Sequence, residues 1–483
     1  MSTTAAPHIG HRYILRDKIG EGSFGIVYRA QDHLTGDIIA LKRMTTSTDQ
    51  LLFASLGHES RLNLALAREF RILASLRHPH IISVLDYGFD QDRNPYFTME
   101  LLENSNTILE AGEGKSVEFQ IGLLIELLQA LIYLHRRAVL HRDLKPANVL
   151  VTGQGQVKVL DFGLSTTLER AKGIAGTLIY MAPEILRQQP VSRASDLFAV
   201  GVVAYQLLAG HYPFNTKSPN QLISSLLYQT PDFSPIGNTA LEDVLMTCLE
   251  KDPAARYGDA DELIQVLRQA IQRPPPQESI AIRESYLQAA RFVGRDTELT
   301  QLRTALTDAQ ASKGSLWLVG GESGIGKSRL VDELHTHALV EGALVLRGQA
   351  IEGGGLPYQL WRDPLRRLAL HTQLNDLEAG ILKELVPDIG NLMGRDVPDA
   401  PELTGVAGQQ RLALTINEVF RRQTQPVVLL LEDLQWTTES LFPIKELTRI
   451  VGEIALLIIG NYRNDERANL PDELPGVQHI MLE

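Results

Sequence analysis

The alternation of apolar and polar residues changes rhythm along this chain. IGEGSFGIVY at Ile19–Tyr28 reads as strand, glycine-rich turn and strand, and IIALK at Ile38–Lys42 as the next strand. Apolar residues then recur at helical spacing through Leu62–Ile82, where Pro79 stops the pattern, so an amphipathic helix leading into a strand is expected. YFTMELLE at Tyr96–Glu103 alternates like a strand and then loses its period. Helical spacing returns in ADELIQVLRQAIQ at Ala260–Gln272 and is broken by RPPPQES. Consecutive prolines cannot continue a helix and favour a stiff, extended spacer.

A different pattern begins near FVGRDTELTQL at Phe292–Leu302. SLWLVGGESGIGKSRL at Ser315–Leu330 reads as a buried strand, a glycine-rich loop and a helix start. PVVLLLEDLQW at Pro426–Trp436 and EIALLIIGNYRNDE at Glu453–Glu466 are continuous apolar runs, as central parallel strands tend to be. HIMLE, closing at Glu483, reads as the last strand of the same core. The expected organisation is a flexible N-terminus over 1–12, a first domain over 13–271, a proline-containing linker over 272–290 and a second domain over 291–483. No internal repeat is evident.

Bulk composition narrows the classes. At 483 residues, two to four domains are expected, and 44% hydrophobic residues is ordinary for a globular chain. A net charge of −12 argues against nucleic acid or an anionic membrane as the main partner. The lone Cys248 excludes an intrachain disulfide. No run is expected to be long and apolar enough to span a bilayer, and MSTTAAPHIGHRY lacks a signal-peptide core, so a cytoplasmic location is expected.

The chemistry is densest in HRDLKPANVLV at His141–Val151 and KVLDFGLS at Lys158–Ser165. Asp143 is placed to take the proton of an acceptor hydroxyl as a P–O bond forms, and Lys145 to neutralise the γ-phosphate. Asn148 and Asp161 are placed to hold Mg2+ bridging the phosphates of ATP. Upstream, Gly20, Gly22 and Gly25 let the backbone lie close over a triphosphate. Lys42 ends a strand within reach of such a site.

These motifs, in this order, resemble the eukaryotic-type Ser/Thr protein kinases, including bacterial ones. The resemblance implies an α+β bilobal fold. It implies that Ala40 faces adenine between Ile19, Val27 and Leu150, that Met99 is the gatekeeper, and that Glu100 to Leu102 offer backbone hydrogen bonds. It also implies that Lys42 pairs with Glu69, with Glu59 as second choice, and that Thr177 in AGTLIYMAPE bonds the catalytic groups. Lys145 with Thr177 points to Ser/Thr rather than Tyr acceptors. Glu184 and Arg256 would form a buried ion pair, and Asp196 would brace the catalytic loop. Arg142 would receive a phosphate on the activation segment, for which Ser165, Thr166 and Thr167 are candidates.

Gly321 to Ser328 fit G-x-x-x-x-G-K-S without mismatch. Backbone amides including those of Gly324 and Gly326 would cradle phosphates, Lys327 would reach the β- and γ-phosphates, and Ser328 would bind Mg2+. With FVGR and the apolar strands, this half resembles the AAA-like ATPase of the STAND signalling class, an α/β P-loop core with a parallel sheet. The resemblance makes Glu432 a magnesium ligand, Asp433 the residue that polarises water, and Arg463 a further nucleotide contact. That family usually has aspartate at the Glu432 position, and the helical lid expected after HIMLE has no residues here. Nucleotide binding with poor hydrolysis is therefore expected, with oligomerisation through this domain open. The main reading is a kinase acting on protein Ser/Thr hydroxyls, with ATP at two sites and a regulatory second domain. The alternatives are an ATP-binding pseudokinase scaffold and an ATPase whose output is the kinase. Intact Lys42, Glu69, Asp143, Asn148 and Asp161 favour catalysis.

Overall fold

The computed structural model describes residues 8–10, 12–22, 25–43, 73, 76–92, 94–161, 178–215, 218–272, 282, 285, 294–353 and 356–483. The described residues fall into two compact units. One takes its members from Met1–Glu59, Leu85–Met99 and Val293–Glu483, the other from Ser60–Val84 and Glu100–Phe292.

The first unit holds two sheets. A six-stranded sheet is built from β1 (His8–Ile9), β2 (Tyr13–Gly22), β3 (Gly25–Asp32), β4 (Ile38–Arg43), β5 (Val84–Phe89) and β6 (Pro95–Met99), in the order β1-β2-β3-β4-β6-β5. Its pairs from β1 to β6 are antiparallel. Ile9, Tyr13, Leu15, Ala30, Ile39 and Leu41 supply its small core.

In the second unit, β7 (Asn106–Thr107), β8 (Val149–Val151) and β9 (Val157–Val159) form a three-stranded sheet beside helices. The Val117–Arg136 helix starts at the Ser116 cap and is apolar nearly all round, because most of its side chains are buried. It is long and apolar enough to cross a membrane by length and composition, which the sequence reading overlooked, but two thirds of its most apolar stretch is packed inside the fold. The Arg193–Ala209 helix is buried in the same way and ends in the left-handed Gly210.

The remaining sheet of the first unit comprises β10 (Ser315–Gly321), β11 (Leu344–Gln349), β12 (Val427–Glu432), β13 (Leu456–Arg463) and β14 (Gln478–Met481). They run parallel in the order β11-β12-β13-β10-β14. Every residue of β12 is buried, which explains its unbroken apolar run. Between β10 and the Lys327–Val340 helix, Gly324 and Gly326 have φ of +81° and +104°, a region costly for side chains with a β-carbon. The C-terminal ends of β10, β12 and β13 therefore meet the start of that helix, where open parallel sheets bind ligands.

Candidate active site and nucleotide loop

In the second unit the catalytic segment hangs from one buried carboxylate. Asp196 accepts hydrogen bonds from the backbone N–H groups of His141 and Arg142, both at 3.0 Å, and meets His135 Nε2 at 2.9 Å. Arg142 and Asp161 adopt φ of +67° and +43°, and the Asp196 bond to the Arg142 N–H offsets the local backbone strain at Arg142. His141 is fully buried, and its ring contacts Leu160 O at 3.0 Å through Nε2 while Nδ1 accepts the Asp143 N–H at 3.4 Å. Burial lowers its pKa, so a neutral imidazole with Nε2 protonated links the two motifs.

The reactive groups follow from that frame. Lys145 Nζ lies 2.7 Å from Asp143 Oδ2, and Asn148 Nδ2 donates to Asp143 O at 2.8 Å and to Asp143 Oδ2 at 3.1 Å. Asn148 Nδ2 also reaches Asp161 O at 3.5 Å. With Nδ2 turned to Asp143, Asn148 presents its amide oxygen as the atom that can serve a cation. The structure thus brings Asp143, Lys145, Asn148 and Asp161 together. Leu150 lies in β8, opposite Thr107 and Lys158. The Glu100 N–H is committed to Ser83 O at 3.1 Å, so only its carbonyl can meet a base edge. Its carboxylate is held by Lys158 Nζ and the Ser83 N–H, both at 2.9 Å, and Leu102 is half-buried.

Below the loop, Arg256 grips Glu184 through two parallel contacts of 2.9 and 2.8 Å, with 0% and 2% of the side chains exposed. Burial alone would raise the Glu184 pKa, but Arg256 and the Ser195 hydroxyl bring it below the usual carboxylate range.

In the first unit, Gly20 pairs with Val27 and Gly22 with Gly25 across the β2–β3 hairpin. Val27 faces Lys42 in β4, Ala40 pairs with Met99, and Ile19 is exposed. The Lys42 ammonium lies 5.7 Å from the Phe97 ring centre, and Ala40 and Met99 are buried. Glu59, Glu69, Ser165, Thr166, Thr167 and Thr177 lie outside the described residues.

At the second loop, Lys327 Nζ donates to Gly321 O at 2.8 Å and Glu322 O at 2.7 Å, and Ser328 follows it in the first helical turn. Burial and the nearby Arg463 guanidinium lower the Lys327 pKa, while Asp433 is among the acids opposing them. Arg463 lies over the Trp436 ring at 5.3 Å and pairs with Glu466 at 2.7 Å. Asp433 has φ of +58°, a conformation held by its N–H bond to Asn461 Oδ1 at 2.9 Å. Gln349 and Gln435 donate to its carboxylate at 3.2 and 3.3 Å.

Glu432 is buried and bonded to Arg347 Nε, and Arg347 also meets Asp332 at 3.1 Å. Sequence reasoning missed Arg347, Gln349 and Gln435. β11 lies more than eighty residues before its partner β12, and only their pairing puts Gln349 opposite Glu432.

The family model for the protein kinase domain matches residues 13–270. The chain belongs to this family. A second family model, the AAA ATPase domain, matches residues 291–459 of the kinase-family chain. Over 271 residues the chain is 34% identical to a probable serine/threonine-protein kinase, SCO3848, of Streptomyces coelicolor, covering 53% of this chain and 39% of that protein. Over 293 residues it is 30% identical to serine/threonine-protein kinase PknB of Mycobacterium leprae, covering 57% and 45%. Over 257 residues it is 33% identical to serine/threonine-protein kinase 36 of Mus musculus, covering 52% and 19%. The chain spans less than half the length of each of these relatives.

Proposed function

We propose that this chain is an ATP-dependent Ser/Thr protein kinase whose second domain binds nucleotide and regulates it in signalling, in the manner of STAND-class ATPases. The observation that carries the kinase reading is the Asp143 carboxylate, set between Lys145 Nζ at 2.7 Å and Asn148 Nδ2 at 3.1 Å on a braced loop. Asp143 orients the Ser or Thr hydroxyl and accepts its proton, while Lys145 offsets charge developing on the transferred phosphoryl group. Asn148 and Asp161 supply the oxygen donors a hard dication prefers, so the donor set fits Mg2+. Bound there, Mg2+ would neutralise phosphate charge and hold the phosphates in line. Lys42 orients the α- and β-phosphates, with Glu69 as its proposed partner.

In the second domain, Lys327 takes the β-phosphate of ADP or the β- and γ-phosphates of ATP, Ser328 would hold Mg2+, and Glu432 and Asp433 lie on the metal and water side. Autophosphorylation on Ser165, Thr166 or Thr167, protein substrates and a cytoplasmic location complete the reading. Purified protein with labelled ATP and generic Ser/Thr peptides tests it. Transfer should be lost in Asp143→Asn, and unchanged transfer in that variant would remove the assignment.

A further inference from the structure

The outer strand of the six-stranded sheet carries a carboxylate that the kinase chemistry does not use. Asp86 in β5 is 5% exposed, and its oxygens are fully engaged. Oδ1 accepts the Tyr87 N–H at 2.9 Å. Oδ2 accepts from Arg12 at 2.6 Å, from the Tyr13 hydroxyl at 3.0 Å and from Arg367 at 2.8 Å. Arg12 is shared with Asp32, at 2.6 and 2.9 Å. Burial opposes ionisation of Asp86, but Arg367 and Arg12 together hold its pKa below the ordinary range.

Arg367 does not belong to the kinase half. It lies on the Arg362–His371 helix of the P-loop domain. Its neighbour Arg366 donates to the Leu34 carbonyl at 2.8 Å, and the Leu34 side chain packs on the apolar core of the parallel sheet. Leu34 sits in the turn between β3 and β4, so a second point of the kinase sheet is held by the same helix. A third close approach lies just past the end of the helix that follows the nucleotide loop. A methyl group added at Gly342 would be 3.7 Å from the Phe89 ring of β5. His335 in the Lys327–Val340 helix is half-buried, with Asp86, Arg347 and Arg367 all within electrostatic reach.

The Arg362–His371 helix is in turn tied to the nucleotide site. β11 carries Arg347, which holds Glu432. The backbone just before the helix presses on the same strand, where a β-carbon at Gly348 would fall 2.1 Å from Leu360 O. A shift of β11 when Glu432 or the loop changes partners therefore has little room to dissipate before it reaches Arg367.

We propose that the Arg362–His371 helix and the end of the P-loop helix form a regulatory docking surface for β5 of the kinase sheet. Through it, a nucleoside di- or triphosphate in the P-loop changes the stability of that sheet by way of the Arg367–Asp86 contact. The proposal rests on the reading that the P-loop binds nucleotide. Coupling of this kind is reciprocal, so the kinase sheet also sets the affinity of the P-loop.

Amide hydrogen exchange on the full chain with and without Mg-ADP tests the link. In the wild type, ADP should slow exchange in both the nucleotide loop, 321–330, and the strand, 84–89, the latter by about fivefold or more. Lys327→Ala should lose both effects. Strand protection that survives Lys327→Ala originates at another site and overturns the proposal. Arg367→Ala should keep the loop response and lose that of the strand, with Arg367→Lys restoring part of it. Arg12 still neutralises Asp86 in both variants, and the retained loop response reports that they are folded. Undiminished strand protection in Arg367→Ala overturns the route while leaving nucleotide binding intact. No loop response in the wild type removes the nucleotide-binding reading itself, and the proposal with it.

Discussion

At the scale of single residues, Asp143 differs from its neighbours in being both held and reachable. Its lysine and asparagine contacts fix the carboxylate without burying it, so Asp143→Asn should cut peptide phosphorylation by at least about 10²-fold with little change in folding. Steady-state kinetics paired with circular dichroism checks both halves of that statement. Glu184 should behave in the opposite way. Its removal leaves the Arg256 guanidinium buried without its bidentate partner, so Glu184→Ala should cost about 3–5 kcal/mol in denaturant unfolding. Activity would then fall through lost structure rather than lost chemistry. The motif letters around both residues were legible in the sequence because short-range spacing carries them. The neutral tautomer of His141 was not, since it depends on burial and on Leu160 O, nineteen positions away.

Among the elements, the parallel sheet places the nucleotide loop. β10 lies between β13 and β14, so Gly321 meets Arg463 in register and the loop emerges beside Asp433. Lys327→Ala should abolish saturable ADP binding, followed through the fluorescence of Trp436, which lies against Arg463. Arg347→Gln should have a different effect. A cation and Arg347 compete for the Glu432 carboxylate, so the variant should increase the Mg2+-dependent part of ADP affinity, by up to about tenfold. Binding titrations with and without Mg2+ separate the two, and a fall in the Mg2+ effect would mean that Arg347 positions Glu432 rather than blocking it. β12 and β13 were legible because both are buried on both faces and read as apolar runs, whereas β11, exposed at Arg347 and Gln349, was not. The strand read at Tyr96–Glu103 proved shorter, ending at Met99, because the Glu100 N–H turns to Ser83.

At the scale of the whole molecule, the imidazoles of buried His78 and half-buried His335 tie stability to acidity. Burial lowers the pKa of His78 from 6.5 to about 3 and of His335 from 6.5 to about 4. Both are neutral in the fold, so below pH 6.5 the unfolded chain binds protons that the folded chain does not. Their contribution is complete above pH 6.5 and is lost progressively as the pH falls, towards about 4 for His335 and about 3 for His78. Melting scans between these limits should show a falling Tm, and His335→Gln should flatten part of the slope. By itself the sequence determined the two domain types and the glycine-rich loop between β10 and the helix after it. Each of these is set by local geometry, by charge type or by spacing along a few residues. Tertiary structure alone decided that Arg347 holds Glu432 and that Asp86 meets Arg367 across 281 positions of chain. Those contacts join residues on elements distant in sequence that no motif links, so only the packing of β5, β11 and β12 against their neighbours could show which opposite charge each would meet.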